Sequence, residues 1–492
     1  MKKILVSFLI AMVVVSCSKN EEILPVEQQQ KEPLTAKEIN SIIETSLQDS
    51  GEFNWSSTSA HTIWSATLLG DSILTVGYGT TDGMYAKGVS SETYKNEVLT
   101  SVMEAEKVSM KTLSPIEDEF ISVVDVKISN KETIERLLKS KSVRYVEPSG
   151  YRFFANAPLS KSSSSSSSGC GYDIETLGSS DYTTIAPNAK MPWSFGVHNI
   201  DDAWNHSTGR GVTIGVIDTG LSKDQRWMNS AFNDGYSSGR TVQKYGTYVD
   251  SWWPWSSKTD GVNDKCGHGT SMAAVATAPR NNDGLPVGVA YNANLVSYRA
   301  TKNVVLDGYH EQKGVAAALT ALANRSDVKV ISMSIGHIFS VGRIKDAIRY
   351  AHSRGKLIFA AGGTSTSFTT WYGVIFPASM SETVAVTGVK ETGTSNCDVC
   401  HSGSKIDFTV AMERGSGNTV PVLSYYNGKT DYVGGSSVAT ATTAGIAALV
   451  WEKHPNWSRS QVLDKMKQSA EYYPNKSSEH GYGKIDALKA VQ

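Results

Sequence analysis

The apolar and polar positions beyond residue 190 alternate between strand-like and helix-like stretches. Residues 211–217 form a short apolar run rich in β-branched side chains, which predicts a buried parallel strand. Small, mostly helix-compatible residues fill 270–277 and 438–450, and the second stretch predicts a helix thin enough to cross a core. These stretches favour an α/β arrangement in which helices pack against a sheet.

A stretch nearer the N-terminus has its own pattern of strands and helices. Residues 34–155 combine helical periodicity with strand-like apolar runs, which predicts a separate small α+β domain. The expected helices cover 34–47, 90–108 and 130–140, and the expected strands lie within 63–78, 120–128 and 143–147. Residues 162–168 are all serine, and a serine run does not bury apolar area, so we expect a flexible linker at 156–169.

Composition fits a folded chain of several domains. The 492 residues leave room for roughly two or three domains, and a hydrophobic content of 40% suffices for a large core. The chain has 47 basic and 48 acidic residues, which gives a net charge of -1. This balance gives no electrostatic reason to expect nucleic acid as a partner.

Three glycine-containing segments, far apart in the chain, supply an aspartate, a histidine and a serine. They are residues 216–220, 266–270 and 435–439. Asp218 ends the predicted strand, where open α/β sheets place their sites, and His268 and Ser437 begin predicted helices. A serine hydroxyl is a poor nucleophile at neutral pH unless an imidazole takes its proton and a carboxylate orients that imidazole. The set predicts Ser437 as nucleophile, His268 as general base and then acid, and Asp218 as the orienting group.

Residues 192–491 resemble the subtilisin-like serine proteases (subtilases), which carry Asp, His and Ser in this chain order. The resemblance implies a mostly parallel sheet with helices on both faces, and hydrolysis of peptide bonds through an acyl-enzyme. Residues 330–336 resemble the strand that pairs with the substrate backbone, and 356–362 resemble the next core strand. The residues expected to bind a protein or peptide substrate are Ser334, Ile335, Gly336, Ala361 and Gly362.

One departure from the family pattern concerns the oxyanion. The family usually has Asn after Ala-Ala-Gly, and its side-chain amide donates to the developing charge, but Gly363 stands there in this chain. Loss of one such donor costs about 10²–10³ in rate, a magnitude measured on a subtilisin itself. Ser437 N–H would remain as a donor, and Thr364 or Ser365 offers a substitute hydroxyl. We expect Gly363→Asn to raise turnover unless another group compensates. The alternative function is a catalytically impaired, peptide-binding surface lipoprotein.

The first residues have the pattern of an export signal. A charged start, an apolar stretch of about a dozen residues and a small residue before Cys17 predict a signal peptide over 1–16, too short to span a membrane. Residues 14–17 resemble the bacterial lipobox, although an ordinary signal peptide is the alternative. Residues 18–22 resemble an export tag of some Gram-negative lipoproteins. We therefore expect a protein of the bacterial cell envelope, anchored through a lipid on Cys17 to the outer membrane, on its periplasmic or surface face.

The segment before the serine run resembles the inhibitory propeptide of subtilases, most clearly over 120–151. The resemblance implies a ferredoxin-like α+β domain that covers helices of the enzyme and leaves its tail in the active cleft. An unrelated α+β adaptor is the alternative. Self-cleavage is expected between about Phe154 and Cys170, where exposed linkers are cut most readily. The predicted division is a signal at 1–16, a tether at 17–33, the propeptide-like domain at 34–155, the linker at 156–169 and the catalytic domain at 170–492.

The cysteines leave several arrangements open. If Cys17 is lipidated, four cysteines remain, and an oxidising compartment favours two disulfides with three alternative pairings. Residues 397–401 also spell the c-type haem attachment motif, and a Cys/His zinc site is a further alternative. The resemblance requires no cofactor and allows a structural calcium ion, yet no Asp/Asn cluster has convincing ligand spacing. The four cysteines are Cys170, Cys266, Cys397 and Cys400.

Overall fold

The computed structural model of the protein describes residues 32–80, 89–118, 120–156, 169–365, 373–393 and 395–492. Residues 34–492 form one compact unit. The predicted signal peptide, Cys17, most of the tether and most of the serine-rich linker lie outside the described residues. In the part that is described, no helix is both long enough and apolar enough to cross a membrane.

The N-terminal part contains a four-stranded antiparallel sheet in the order β2-β3-β1-β4. Helix α5 packs against both α2 and α3. The elements are α1 (Ala36–Ser50), α2 (Ala60–Leu69), β1 (Ile73–Tyr78), α3 (Val89–Glu106), α4 (Met110–Leu113), β2 (Ile116–Asp118), β3 (Val123–Lys127), α5 (Lys131–Lys139), β4 (Val143–Glu147) and α6 (Phe153–Asn156).

The helices and strands predicted for this part are confirmed, and helix α2 was not predicted. The strand-like run at 63–78 is divided between helix α2 and strand β1. Ser59 caps α2 by accepting a hydrogen bond from Thr62 N–H, and Gly70 ends the helix. These caps at both ends favour a helix where the side chains alone suggested a strand.

The C-terminal part is built on a seven-stranded parallel sheet in the order β13-β12-β11-β10-β7-β9-β8. Its first elements are β5 (Tyr182–Ile185), β6 (Ala189–Pro192), α7 (Trp193–Val197), α8 (Ile200–Ala203), β7 (Thr213–Asp218), β8 (Val242–Gly246), α9 (His268–Thr277), β9 (Asn294–Arg299), α10 (Tyr309–Ala323) and β10 (Val328–Met333). They are followed by α11 (Gly342–Ser353), β11 (Leu357–Ala361), β12 (Val384–Lys390), β13 (Phe408–Glu413), β14 (Val420–Leu423), β15 (Thr430–Val433), α12 (Gly435–Lys453), α13 (Arg459–Gln468) and α14 (Ala487–Val491).

Helices cover both faces of this sheet. Helices α9 and α12 share one apolar core with the sheet, and α10 and α11 share the core on the other face. Helix α12 is buried over most of its length, and a Cβ added at Gly445 would lie 2.6 Å from Val289 Cβ. The predicted α/β fold and its core-crossing helix are therefore confirmed.

The N-terminal sheet packs against α10 and α11. Ile121 and Val123 belong to the apolar core on that side of the parallel sheet. The Glu147 carboxylate, at the end of β4, accepts hydrogen bonds of 2.8 and 3.0 Å from Gly342 N–H at the start of α11. A carboxylate at a helix N-terminus is favourably placed against the helix dipole.

Two buried ion pairs lie across the same contact. The N-terminal sheet supplies the acidic residue of one pair and the basic residue of the other. Asp125 of the N-terminal sheet pairs with Arg343 of α11. Arg144 of the N-terminal sheet pairs with Asp346 of α11 at 2.7 Å. All four side chains are almost completely buried, so removal of one partner leaves an uncompensated charge inside the protein.

Candidate active site

The fold brings Asp218 and His268 together at the carboxyl edge of the parallel sheet. Asp218 ends β7 and His268 begins α9. His268 Nδ1 lies 2.8 Å from Asp218 Oδ1, and both side chains are buried. Burial lowers the pKa of His268, but the charge and hydrogen bond of Asp218, aided by the charge of Asp264, outweigh burial and raise it. With Nδ1 bound to Asp218, Nε2 is the nitrogen left for proton transfer.

Asp264 fixes the start of α9 and was not among the residues predicted from the sequence. Its Oδ1 accepts 2.8 Å hydrogen bonds from the N–H groups of Cys266 and Gly267. Its Oδ2 accepts from the N–H and hydroxyl of Thr270 at 2.9 and 2.7 Å. The sequence signal that could have identified Asp264 is its position shortly before the start of a predicted helix, since aspartate often caps helices. Asp264 therefore holds the backbone on both sides of His268.

Ser437 lies in the first turn of α12, where Gly435 has a φ of +82°. Ser334 Oγ donates to Ser437 O at 3.0 Å, which ties this turn to the end of β10. Ser437 is half-buried and lines a cavity of about 460 Å³ together with His268. The hydrogen bonds of the described residues do not include one between Ser437 Oγ and His268, and such bonds often tighten only when substrate binds.

The four cysteines of the predicted catalytic domain form two disulfides. Cys170 is bonded to Cys266, two residues before the site histidine, and Cys397 is bonded to Cys400. In this pairing none of the four thiols is available to attach haem or to ligate zinc. Within the described residues, no group of three or more His, Cys, Asp or Glu side chains could hold a metal ion.

Comparison with known families agrees with this arrangement. The model of the subtilase family matches residues 209–484, which is more than half of the chain. The chain belongs to the subtilase family. The match includes Asp218, His268 and Ser437, whose geometry is described above.

Two relatives of this subtilase each match over 61% of the chain. It is 29% identical over 304 residues to subtilisin E of Bacillus subtilis (strain 168), which covers 61% of this chain and 71% of that protein. It is also 29% identical over 307 residues to alkaline elastase YaB of Bacillus sp. (strain YaB), which covers 61% of this chain and 70% of that one. The family match and these two relatives show that the chain is a subtilisin-like serine peptidase, a class that acts on proteins or peptides.

A solved structure shares the fold. Fervidolysin from Fervidobacterium pennivorans, described as a keratinolytic enzyme related to subtilisin, matches with a TM-score of 0.59 at 19% identity. The match covers 86% of this chain and 61% of that chain. At this identity the likeness supports the fold of the subtilase alone.

Gly363 lines the cavity with Ser437, but its surroundings leave no room for a side chain. Its φ is +126°, a conformation that residues with a Cβ rarely adopt. A Cβ there would lie 2.4 Å from Nδ1 of the His401 ring. The Gly363 N–H donates to Ser436 Oγ at 3.1 Å. The structure therefore favours a fall in turnover for Gly363→Asn, because the His401 ring occupies the space that the new side chain needs.

The expected substrate-binding edge is only partly available in this subtilase. Ser334, Ile335 and Gly336 line the cavity, as expected. However, Gly336 N–H donates to Val304 O at 2.9 Å, and Gly336 O accepts from Leu306 N–H at 3.0 Å. A substrate strand that pairs with the backbone of Gly336 would therefore have to displace residues 304–306 there.

Of the two remaining residues predicted to bind substrate, Ala361 and Gly362, only the first lines the cavity. Ala361 lines the cavity. Gly362 does not line it, because its N–H donates to Val386 O at 2.8 Å and its carbonyl accepts from Ile375 N–H at 3.0 Å. Gly362 therefore joins β11 to the neighbouring backbone.

Proposed function

We propose that this subtilase is an endopeptidase that works through an acyl-enzyme at Ser437. Ser437 Oγ attacks the scissile carbonyl carbon while His268 Nε2 takes the hydroxyl proton. His268 then gives that proton to the leaving amine, and a water molecule releases the acyl group by the reverse sequence. Asp218 orients the imidazole and stabilises its charged form. The observation that carries the proposal is the 2.8 Å Asp218–His268 hydrogen bond beside a cavity shared with Ser437.

The oxyanion receives at least one backbone donor in this scheme. Ser437 N–H belongs to the first turn of α12, where backbone N–H groups have no partner within the helix. The positive end of the helix dipole favours negative charge at the same place. The proposed steps use only side chains, backbone and water, and no cofactor.

Substitution of the three residues tests the assignment. Ser437→Ala, His268→Ala and Asp218→Asn should each abolish most hydrolysis of an unfolded protein substrate. Because the three groups act as a unit, the triple variant should be scarcely slower than Ser437→Ala. A Ser437→Ala variant that cleaves as fast as the parent would show that another nucleophile is used.

Gly363 supports a second candidate function, a catalytically impaired subtilase that binds peptides at the cell surface. Gly363 offers no side-chain donor, and its N–H is engaged by Ser436 Oγ. A fluorophosphonate probe separates the two functions, since it labels an activated serine. Labelling of the parent, but not of Ser437→Ala, supports the peptidase. A parent chain that is not labelled but still binds peptide supports the catalytically impaired, peptide-binding function.

We further propose that residues 34–155 are an inhibitory propeptide and that the chain is a self-processing zymogen. Phe154 N–H, beyond β4, donates to Asp307 Oδ2 at 3.1 Å. Phe154 and Gly169 line the same cavity as Ser437, so the chain reaches this cavity on both sides of the segment expected to be cut. The Cys170–Cys266 disulfide would keep the new N-terminal end attached to the catalytic domain after a cut before Cys170.

Mass spectrometry tests self-processing. The purified parent should yield a cut between about Phe154 and Cys170, and the matched Ser437→Ala chain should stay intact. If the parent also stays intact after prolonged incubation, the zymogen proposal fails. If Ser437→Ala is cut at the same place under the same conditions, another protease is responsible.

The sequence of the first residues supports export and lipid anchoring in a bacterial envelope. In this proposal the lipid on Cys17 holds the propeptide half, and the cleaved enzyme stays at the membrane only through non-covalent contact with that half. Cys17→Ala should give a protein that carries no lipid. Metabolic labelling with a fatty acid measures this, and the label on the protein should disappear. An unlabelled parent chain would contradict the lipobox assignment.

A further inference from the structure

A second cavity lies at the edge of the parallel sheet where β10 and β11 begin, opposite the edge that holds Ser437. Its volume is about 540 Å³, and none of its lining residues lines the cavity of Ser437. Strand β10 runs from Val328, which lines this cavity, towards Ser334, which lines the other. At about 3.3 Å per residue, the length of this strand separates the two cavities by roughly 20 Å. The second cavity is therefore distinct from the candidate active site.

The charged side chains that line this second cavity are all basic. They are Arg325, Lys329, Arg354, Lys356 and Arg459. Arg325 is paired, because its Nε and Nη2 donate to the two carboxylate oxygens of Asp327 at 3.0 and 2.8 Å. Over the described residues, no ion pair with a carboxylate involves any of the other four. Four positive charges therefore surround a space whose walls carry no acidic side chain.

Lys356 is the most deeply buried of these cations, with 5% of the residue exposed. Its Nζ donates to Val328 O at 2.8 Å and to the carbonyl of Arg325. An ammonium group has three donors, so one is left for a ligand. Burial lowers the pKa of Lys356 to about 8, and the positive charge of Lys329 lowers it further, against an opposing effect of Asp327. An anion in the cavity would reduce both the cost of burial and the repulsion between the cations.

The first turn of α13 forms part of the same wall, since Ser458 and Arg459 both line the cavity. Ser458 Oγ caps the helix by accepting from Gln461 N–H at 3.4 Å. For the N–H groups of Arg459 and Ser460, the described residues supply no acceptor. Free N–H groups at a helix start, together with the positive end of the helix dipole, favour an anion. The Arg459 guanidinium donates to the His352 carbonyl through Nη1, which leaves its other N–H groups for a ligand.

Two tryptophans complete the wall. Trp451 Nε1 donates to Trp457 O at 3.1 Å, so this indole N–H is already engaged. Lys329 Nζ lies 5.9 Å from the centre of the Trp451 ring, which holds the ammonium beside the cavity. Aromatic surface excludes water, and a lower local dielectric strengthens the attraction between these cations and an anion.

We propose that this cavity binds a phosphate group, with Lys329, Arg354, Lys356 and Arg459 as cationic partners and the first turn of α13 as backbone donor. A phosphate monoester has a charge of about -1.5 to -2 near pH 7 and three acceptor oxygens, which suits several separate cations better than a carboxylate does. Free phosphate compounds and the phosphate headgroup of a lipid share this chemistry. The site does not depend on the proposed peptidase function, so the Ser437→Ala chain should bind phosphate as the parent does.

Isothermal titration calorimetry with pyrophosphate tests the proposal on the full chain that carries Ser437→Ala, which prevents self-processing. We expect one site per chain with a Kd of roughly 10–100 µM, weakened as salt is raised. Lys329→Gln and Arg354→Gln should each weaken binding about tenfold, and the double variant about 100-fold. Lys127→Gln removes an exposed lysine of β3 and is the matched control, which should bind as the unsubstituted site does. Absence of saturable binding, or an equal affinity in the double variant, overturns the proposal.

Two comparisons make this result specific. Acetate at the same ionic strength should bind at least about tenfold more weakly than pyrophosphate, and equal binding overturns the proposal because it indicates a general attraction of anions. Arg354→Gln changes an exposed side chain and decides the outcome alone if Lys329→Gln does not fold.

Cosedimentation with phosphatidylcholine vesicles, with and without phosphatidic acid, identifies the source of the phosphate. The chain used here also carries Cys17→Ala, so that no lipid anchor contributes. Binding to phosphatidic acid vesicles that is lost in the double variant supports a lipid headgroup as the ligand. Pyrophosphate binding without vesicle binding supports a free phosphate compound. Failure to bind either one overturns the proposal.

Discussion

Single residues around Gly363 show how closely the cavity wall is packed. His401 N–H donates to Gly363 O at 3.0 Å, and its ring lies where a Cβ of residue 363 would point. The ring nitrogen Nδ1 is also 3.0 Å from Gly373 O. Glycine at 363 is therefore required by its neighbour and by its φ of +126°.

We predict that Gly363→Asn lowers kcat at least about tenfold and lowers the melting temperature. Backbone strain at positive φ costs about 1–3 kcal/mol, and overlap with His401 adds to it. The measurement is steady-state kinetics with thermal unfolding of the same preparations. Gly373→Ala is the matched control, since a Cβ there meets nothing within 4 Å, and it should behave as the parent. A faster Gly363→Asn enzyme would show that this loop moves in solution.

Elements, rather than single residues, position the loop that contains Thr364. Residues 363–365 pair with residues 399–401 through the backbone. The Cys397–Cys400 disulfide closes the second segment, and Cys400 Sγ packs 3.7 Å from Met412 Sδ on β13. The disulfide thus connects the cavity wall to the edge strand of the parallel sheet.

We predict that replacing Cys397 and Cys400 together by Ala lowers kcat roughly tenfold with little effect on KM. A tenfold loss corresponds to about 1.4 kcal/mol of transition-state stabilisation. A loss of this size is expected when residues 399–401 hold the cavity wall less rigidly. The comparison is with the parent chain, with both disulfides intact. An unchanged kcat would show that packing alone holds residues 399–401 in place.

At the scale of the whole molecule, buried charged groups join the four-stranded sheet to helix α11, and one of them makes this contact sensitive to pH. Burial raises the pKa of Glu147 from 4.5 to about 7, although the Gly342 N–H and the charges of Lys345 and Arg343 lower it. The negative charge of Asp346 adds to the rise. A carboxyl whose pKa is raised in the folded chain stabilises it fully below about pH 4.5, and that contribution is lost as the pH rises towards 7 and above.

We predict that Glu147→Gln reduces the loss of stability between pH 5 and pH 8. Both chains should carry Ser437→Ala, so that neither is processed, and urea unfolding gives the free energy at each pH. The parent should lose roughly 2–3 kcal/mol more than the Gln variant over this interval, somewhat less than the full value for a shift from 4.5 to about 7, because the interval begins above pH 4.5. Other titrating groups, His268 among them, are the same in both chains. Equal pH profiles would contradict the prediction.

The sequence by itself determined the chemistry of the candidate site and the type of fold. Asp218, His268 and Ser437 stand at the end of a strand and at two helix starts, and such positions depend on side-chain pattern and backbone freedom within a few residues. Local signals are also the reason that most helices and strands were predicted correctly. Helix α2 was not predicted, because the side chains at 63–69 have strand propensity whereas the capping residues at both ends favour a helix.

Only the tertiary structure decided which loops meet at the carboxyl edge of the sheet. The pairing of Cys170 with Cys266 and the engagement of Gly336 by residues 304–306 join segments distant in sequence. The overlap between residue 363 and the His401 ring, and the approach of Thr364 to the start of α12, are of the same kind. None of these contacts has a local sequence signal, because they depend on how separate loops pack once the strands have fixed their ends.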